Sequence, residues 1–81
     1  MTKWKCTQDW LGGKYVGLTM TTSEWLGWDI ARNLERGRSI EDANKDLEFW
    51  HNEFKKGEEG EDIFIGTLAD TEEMFFEEVK E

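Results

Sequence analysis

Glu58-Glu59-Gly60-Glu61-Asp62-Ile63-Phe64-Ile65-Gly66-Thr67-Leu68 is the stretch on which the fold turns. Its first five residues are acidic with a glycine among them, the composition of a solvated turn. Its last six are mostly β-branched, aromatic or small, and apolar on both sides of an alternating pattern. That predicts an interior strand covered on both faces. Such a strand needs a neighbour for its backbone groups. Met74-Phe75-Phe76 followed by Val79 supplies one, as a strand closing a hairpin across Ala69 to Glu73. A short terminal helix capped from Asp70-Thr71-Glu72-Glu73 is the competing reading.

Upstream, two helices are bracketed by their end signals. Thr21-Thr22-Ser23-Glu24 fits a capping box, and Gly37 after Arg36 offers the left-handed residue that closes a helix. Ser39-Ile40-Glu41-Asp42 starts a second helix, with acids in its first turn and an end at Lys55-Lys56-Gly57. The connection between them is short enough to force a helical hairpin or a sharply kinked pair. At the start of the chain, Thr2 to Gln8 alternates Trp4 and Cys6 with Lys3, Lys5 and Thr7. Leu11-Gly12-Gly13 reads as a turn, and Tyr15 to Thr21 as the returning strand. The expectation is an α+β fold in ββααββ order, one antiparallel sheet packed against a helix pair, with residues 1–81 as a single domain.

Projection at 100° per residue assigns faces. In the first helix Leu26, Ile30 and Leu34 share a stripe, with Gly27 and Ala31 beside it, leaving Trp25 and Trp28 on the other side with Asp29, Arg32, Glu35 and Arg36. In the second, Ile40, Ala43, Leu47, Trp50 and Phe54 form the inward stripe, flanked by Asn44 and His51. Phe49 points away from it, among Asp42, Asp46 and Glu53. An aromatic residue inside a charged rim is how binding hot spots are commonly built, so this strip is a candidate contact surface. Trp25 and Trp28 form a second one.

Charge narrows the partners. Residues 1–40 carry six Lys/Arg against four acids, and residues 41–81 carry four against fifteen. The halves sum to +2 and −11. A field of that sign repels phosphate backbones and attracts basic surfaces. The two consecutive helices are therefore not a DNA-reading pair, since the second bears Glu41, Asp42, Asp46, Glu48 and Glu53, and no direct nucleic-acid binding is expected.

Motifs for chemistry are sparse. Cys6 and His51 are the only cysteine and histidine, too few for a zinc site, and no third group is identifiable to orient a nucleophile and base. Glu58, Glu59, Glu61 and Asp62 lack the alternating spacing of a calcium loop, and no phosphate-binding glycine loop is present. No cofactor, metal or enzymatic activity is expected. A single cysteine, no signal-like segment and no long apolar run fit an intracellular, cytoplasmic protein without a membrane association.

Together these readings point to a non-enzymatic protein that binds another protein. Asp42, Asp46, Phe49, Glu53, Glu58, Glu59, Glu61 and Asp62 would address a basic surface, with Trp25 and Trp28 as a further contact. Its most concrete form is a nucleic-acid mimic that blocks a DNA- or RNA-handling enzyme. Compact, acidic, cofactor-free chains are frequent among phage-encoded inhibitors of host defence, anti-CRISPR proteins included, which is an analogy of class alone. The alternative is a structural or assembly protein, a homodimer or part of a phage accessory complex, with Trp25/Trp28 or Phe49 buried by a second copy. The sequence leaves monomer and homodimer both open.

Overall fold

In the computed structural model, which describes residues 2–80, the elements run β1 (Lys3–Gln8), β2 (Thr19–Thr21), α1 (Thr22–Glu35), α2 (Ile40–Phe54), α3 (Glu58–Glu72) and β3 (Phe75–Val79). The class is α+β, as the sequence indicates. The order is ββαααβ rather than ββααββ.

The difference lies in residues 58–72. The Glu58 to Asp62 run is the first turn of α3, not a turn in solvent, and Ile63 to Leu68 is the middle of that helix, not an interior strand. Acids in a first turn are stabilised by the positive end of the helix dipole. Gly60, Glu61, Phe64, Ile65, Leu68 and Glu72 are buried while Ile63, Gly66 and Thr67 are exposed, a three-to-four-residue repeat rather than a two-residue one. Burial of that stripe outweighs the strand preference of Ile63, Phe64 and Ile65. The helix ends where Glu73 turns left-handed, at φ 54°.

The strand expected at the C-terminal end is present as β3. It pairs with β1 instead of with residues 63–68. The sheet order is β2-β1-β3, antiparallel throughout, with Trp4 opposite Met20 on one side and Glu78 on the other. The β1–β3 register slips between Cys6 and Gln8, a bulge that leaves Thr7 out of step.

The second strand is shorter than expected, Thr19–Thr21 in place of Tyr15 to Thr21. Residues 12–17 turn instead, because Asp9 gathers their backbone: Oδ1 accepts from the amides of Leu11 (2.9 Å) and Gly13 (2.7 Å), and Oδ2 from that of Tyr15 (2.8 Å). Gly12, Gly13 and Gly17 supply the positive φ that this path requires.

Both helix starts follow the sequence. Thr21 and Glu24 form the capping box, and Ser39 Oγ accepts from the Asp42 amide. Which side of each helix is covered follows less closely. Trp25 is wholly buried with Leu26, whereas Leu34 is exposed and Ile30 half-buried. The buried side of α1 is rotated toward Trp25 because the sheet takes that ring: its indole N–H donates to the Trp4 carbonyl at 2.9 Å, and Phe76 of β3 meets it edge-on. In α2, Ala43 is buried and Leu47, Trp50 and Phe54 pack on the core as projected, while Ile40 is 70% exposed in the first turn.

The core is Cys6, Trp25, Leu26, Phe64, Ile65, Leu68 and Met74, drawn from β1, α1, α3 and the approach to β3. Each of its larger side chains contributes about 1.5–3 kcal/mol by burial. Polar groups pin its rim. The Trp4 indole donates to Thr22 Oγ1 (2.9 Å), which donates in turn to the buried Glu61 carboxylate (2.6 Å), fastening β1, α1 and α3 at one point.

Candidate functional site

Eleven carboxylates and one lysine lie on α2 and α3. The two helices therefore carry −10 of formal charge, or −8 once Lys55 and Lys56 of their connection are included, in a chain of net −9, which leaves the remainder nearly neutral. Gly60 holds the two helices together, since a β-carbon there would collide with the Glu53 carbonyl, so α3 meets α2 backbone to backbone. Beyond that crossing, Asp46 and Trp50 of α2 share a cavity of about 190 Å³ with Thr67, Leu68 and Thr71 of α3. Of the strip read from the sequence, Asp46 lines that cavity and Glu53 lies at the Gly60 crossing.

Within it the residues differ in what they have left to offer. Asp42 is exposed, its amide held by Ser39. Asp46 is paired with Arg38, and Glu53 with Lys56 at 3.1 Å, so both are partly neutralised. Phe49 is 53% exposed, its ring edge against Trp50. Glu58, Glu59 and Asp62 are exposed on α3. On the helical projection Glu59, Asp62, Ile63, Gly66 and Asp70 line one exposed face. Ile63, also 53% exposed, is its apolar member, the counterpart on α3 of Phe49 on α2.

Three of the expected contact residues are tied into the fold rather than free at the surface. Glu61 is buried, its Oε1 accepting from Thr22 Oγ1 and, at 3.3 Å, from the Thr2 amide. Trp25 lies in the core, and Trp28 is clasped between the Tyr15 ring, Trp25 and the Arg32 guanidinium that lies over its face at 5.0 Å. These three hold the fold together. The sequence concealed this because Glu61 looks like its acidic neighbours and the indoles fall off an ideal helical stripe.

The α1–α2–α3 cavity contains the most perturbed acid. Burial, with the charges of Glu72 and Asp46 adding to it, pushes Asp29 up to about 6, against the opposing pull of Arg36 and Arg38. Glu72 itself is enclosed and gripped by Arg36 through both guanidinium nitrogens (2.7 and 2.8 Å) and by Arg32 at 3.3 Å. A carboxyl titrating near neutrality is a common property of reactive sites. Here the nearest charged groups already bind one another, Arg36 with Glu72 and Arg38 with Asp46, and the Thr67 and Thr71 hydroxyls donate to carbonyls of their own helix. The cavity reads as a polar seam between helices. Nothing in the sequence around Asp29 signals that packing would enclose it.

Other features carry no convergent chemistry. An open depression of about 520 Å³ lies between Thr2, Lys3, Glu58, Glu61, Glu78, Val79 and Lys80, where Glu61 is already committed to Thr22. Cys6 is buried, and burial together with the Asp9 charge raises its thiol, the opposite of an activated nucleophile. His51 is exposed on α2, beside Phe54 and Lys55. Among the described residues no group of three His, Cys, Asp or Glu side chains is placed to hold a metal, and no helix is long and apolar enough to cross a membrane.

Sequence reasoning passed over one surface. Between Asp9 and Glu24 there is no acid, and the loop built there exposes Trp10, Leu11, Val16 and Leu18. The signal was available as an apolar run between glycines after an aspartate. The expected elements split it between the turn at Leu11-Gly12-Gly13 and the strand from Tyr15. Comparison with family models, with curated proteins and with solved structures finds no match for this chain.

Proposed function

We propose that the protein is a non-enzymatic inhibitor that binds another protein through its acidic α2–α3 face, occupying the basic surface on which a DNA- or RNA-handling enzyme holds its nucleic acid. The observation that supports this is the concentration of acids on α2 and α3, where nine of eleven carboxylates lie outside the buried pair Glu61 and Glu72 and recur on turns about 5.4 Å apart. A row of that kind offers a cationic channel what a phosphate backbone offers. Phe49 and Ile63, apolar within the acidic rim, supply the anchors that a charge pattern alone lacks. The working set is Asp42, Phe49, Glu58, Glu59, Asp62, Ile63 and Asp70, with Asp46 and Glu53 in support. A phage anti-defence role of anti-CRISPR type is the natural setting for such a molecule, acting in the host cytoplasm. Self-assembly through Trp25 and Trp28 is disfavoured by the enclosure of Trp25.

Capture from host lysate tests the reading. Wild-type protein should retain a nucleic-acid-binding enzyme at low salt, release it as ionic strength rises, and be displaced by duplex DNA while showing no affinity for that DNA itself. Reversing Asp42, Glu59 and Asp62 together to Lys should abolish capture and leave the circular dichroism spectrum unchanged, because all three side chains are exposed. Phe49→Ala should weaken the complex by about 2 kcal/mol. Direct DNA binding, or a complex indifferent to the triple reversal, would remove the proposal.

A further inference from the structure

Three carboxylates, Asp29, Asp46 and Glu72, line the cavity between α1, α2 and α3, against two guanidinium groups, Arg36 and Arg38. Two of the acids are already matched. Glu72 takes both terminal nitrogens of Arg36, and Asp46 takes Arg38. Arg32, which also reaches Glu72, lies over the Trp28 ring and is not part of the lining. Among the described residues nothing donates a hydrogen bond to Asp29, and Arg36 and Arg38 act on it only through their charge. With all three acids ionised, the lining is one positive charge short.

The free hydrogen-bonding capacity of the walls points the same way. Thr67 and Thr71, at the exposed rim, give their hydroxyl protons to the carbonyls of Ile63 and Leu68 at 2.9 and 3.4 Å and keep lone pairs for a donor. An ionised Asp29 accepts and cannot donate. The rest of the wall is Asn33, whose amide serves in either sense, and the apolar Trp50, Phe64 and Leu68. At about 190 Å³ the space is smaller than a drug-sized ligand needs and suits a single side-chain head group.

We infer that this cavity is a subsite for one guanidinium group, the tip of an arginine side chain on the basic partner, with Asp29 as its counter-ion and Thr67 and Thr71 accepting at the rim. That the arginine comes from a partner rests on the acidic-face reading, and Asp46 belongs to both the cavity and that face. A guanidinium brings donors and no acceptor, as these walls require. It is also more weakly hydrated than an ammonium, which suits a partly apolar wall, and its planar fork can meet several acceptors together. Burial and the charges of Glu72 and Asp46 raise Asp29 to about 6 in the free protein, so at pH 7 the carboxylate is ionised and unmatched. A cation bound beside it lowers that value.

Carbon-13 resonances of the aspartate carboxyls in the full chain test this. At pH 7 acetyl-arginine amide should shift the Asp29 carboxyl with a dissociation constant of about millimolar and lower its titration midpoint. Methylguanidinium should do the same, and methylammonium several-fold more weakly. At pH 5 binding should be about tenfold weaker, because the carboxyl is then mostly protonated. Asp29→Asn should raise the dissociation constant at least fivefold and remove this pH dependence with circular dichroism unchanged, since His51 lies outside the cavity beside Phe54 and Lys55. An Asp29 carboxyl that does not respond, equal affinity in Asp29→Asn, or binding of methylguanidinium without that of the arginine amide would each overturn the inference. Lysate capture separates it from the reading it rests on. Capture lost on the Asp42/Glu59/Asp62 reversal but untouched by Asp29→Asn removes the subsite and keeps the acidic face, whereas arginine amide bound at Asp29 with no capture supports the subsite and counts against that face.

Discussion

Gly60 of α3 lies so close to the backbone carbonyl of Glu53 in α2 that no β-carbon fits between them. Gly66, two turns on in the same helix, has nothing within 4 Å of where its β-carbon would stand. The two glycines should therefore respond oppositely to the same substitution. Gly60→Ala forces the helices apart and should cost about 1–3 kcal/mol or more. Gly66→Ala should stabilise by about 0.5–1 kcal/mol through helix propensity and a less flexible unfolded chain. Urea denaturation of both variants decides it, and loss of stability in Gly66→Ala would mean that position 66 is packed.

Glu72 closes the far end of α3. Its carboxylate, 2% exposed, is held by Arg36 and Arg32. Glu72→Gln keeps the shape and removes the charge, leaving two guanidinium groups without their ionic partner; because Arg36 is half exposed and water can solvate it, a loss of about 1–2 kcal/mol is expected. Glu72→Met should be less harmful if combined with Arg36→Met than alone. A double-mutant cycle without coupling would show that the clamp is incidental.

Asp29 makes stability depend on pH in a direction unusual for an acid. Its folded pKa of about 6 stands above the ordinary value of 3.8, so the protein binds that proton more tightly than the unfolded chain does. The resulting stability is complete below pH 3.8 and is lost as pH rises through 6. Asp29→Asn is neutral at every pH, and at pH 7 it should be the more stable protein by about 1 kcal/mol once solvent screening of a half-exposed carboxyl is allowed for. That advantage should shrink as pH falls toward 4. Thermal melts of both proteins across this range check it, and a constant difference would place the titration elsewhere.

Repulsion among the carboxylates of α2 and α3 should also be visible in the wild type. Raising ionic strength from dilute buffer to about 0.15 M shortens the Debye length to about 8 Å and should raise the melting midpoint. A midpoint that falls would show that Arg38–Asp46, Lys56–Glu53 and Lys45–Glu41 outweigh the net repulsion.

Helix ends were legible wherever a side chain caps a backbone amide within three residues, as at Thr21 and Ser39, because that physics is local. The strand at Met74 to Val79 was legible for the same reason, by its composition. Its partner was not. Whether residues 63–68 are strand or helix depends on which of their faces other elements cover. The covering groups include Trp25 and Leu26 of α1, far upstream in sequence. The exposed members of the acidic site, Asp42, Phe49, Glu59 and Asp62, could be placed by counting along a helix. Glu61, Trp25 and Asp29 could not, since each is enclosed by residues from other elements. The apolar loop escaped notice because its shape comes from Asp9 binding amides up to six residues away, an arrangement that propensity does not encode.

The sheet order has a consequence for how the chain comes off the ribosome. Its central strand, β1, is made before the helices, yet one of its two neighbours is β3, and the Lys3–Val79 pairing closes a loop that contains β2 and all three helices. Until residues 75–79 emerge, one side of β1 has no ladder and Trp25 lacks the Phe76 ring against it. The three helices can form and collapse during synthesis, whereas the sheet must wait, so the late step in folding is a long-range closure rather than a local one.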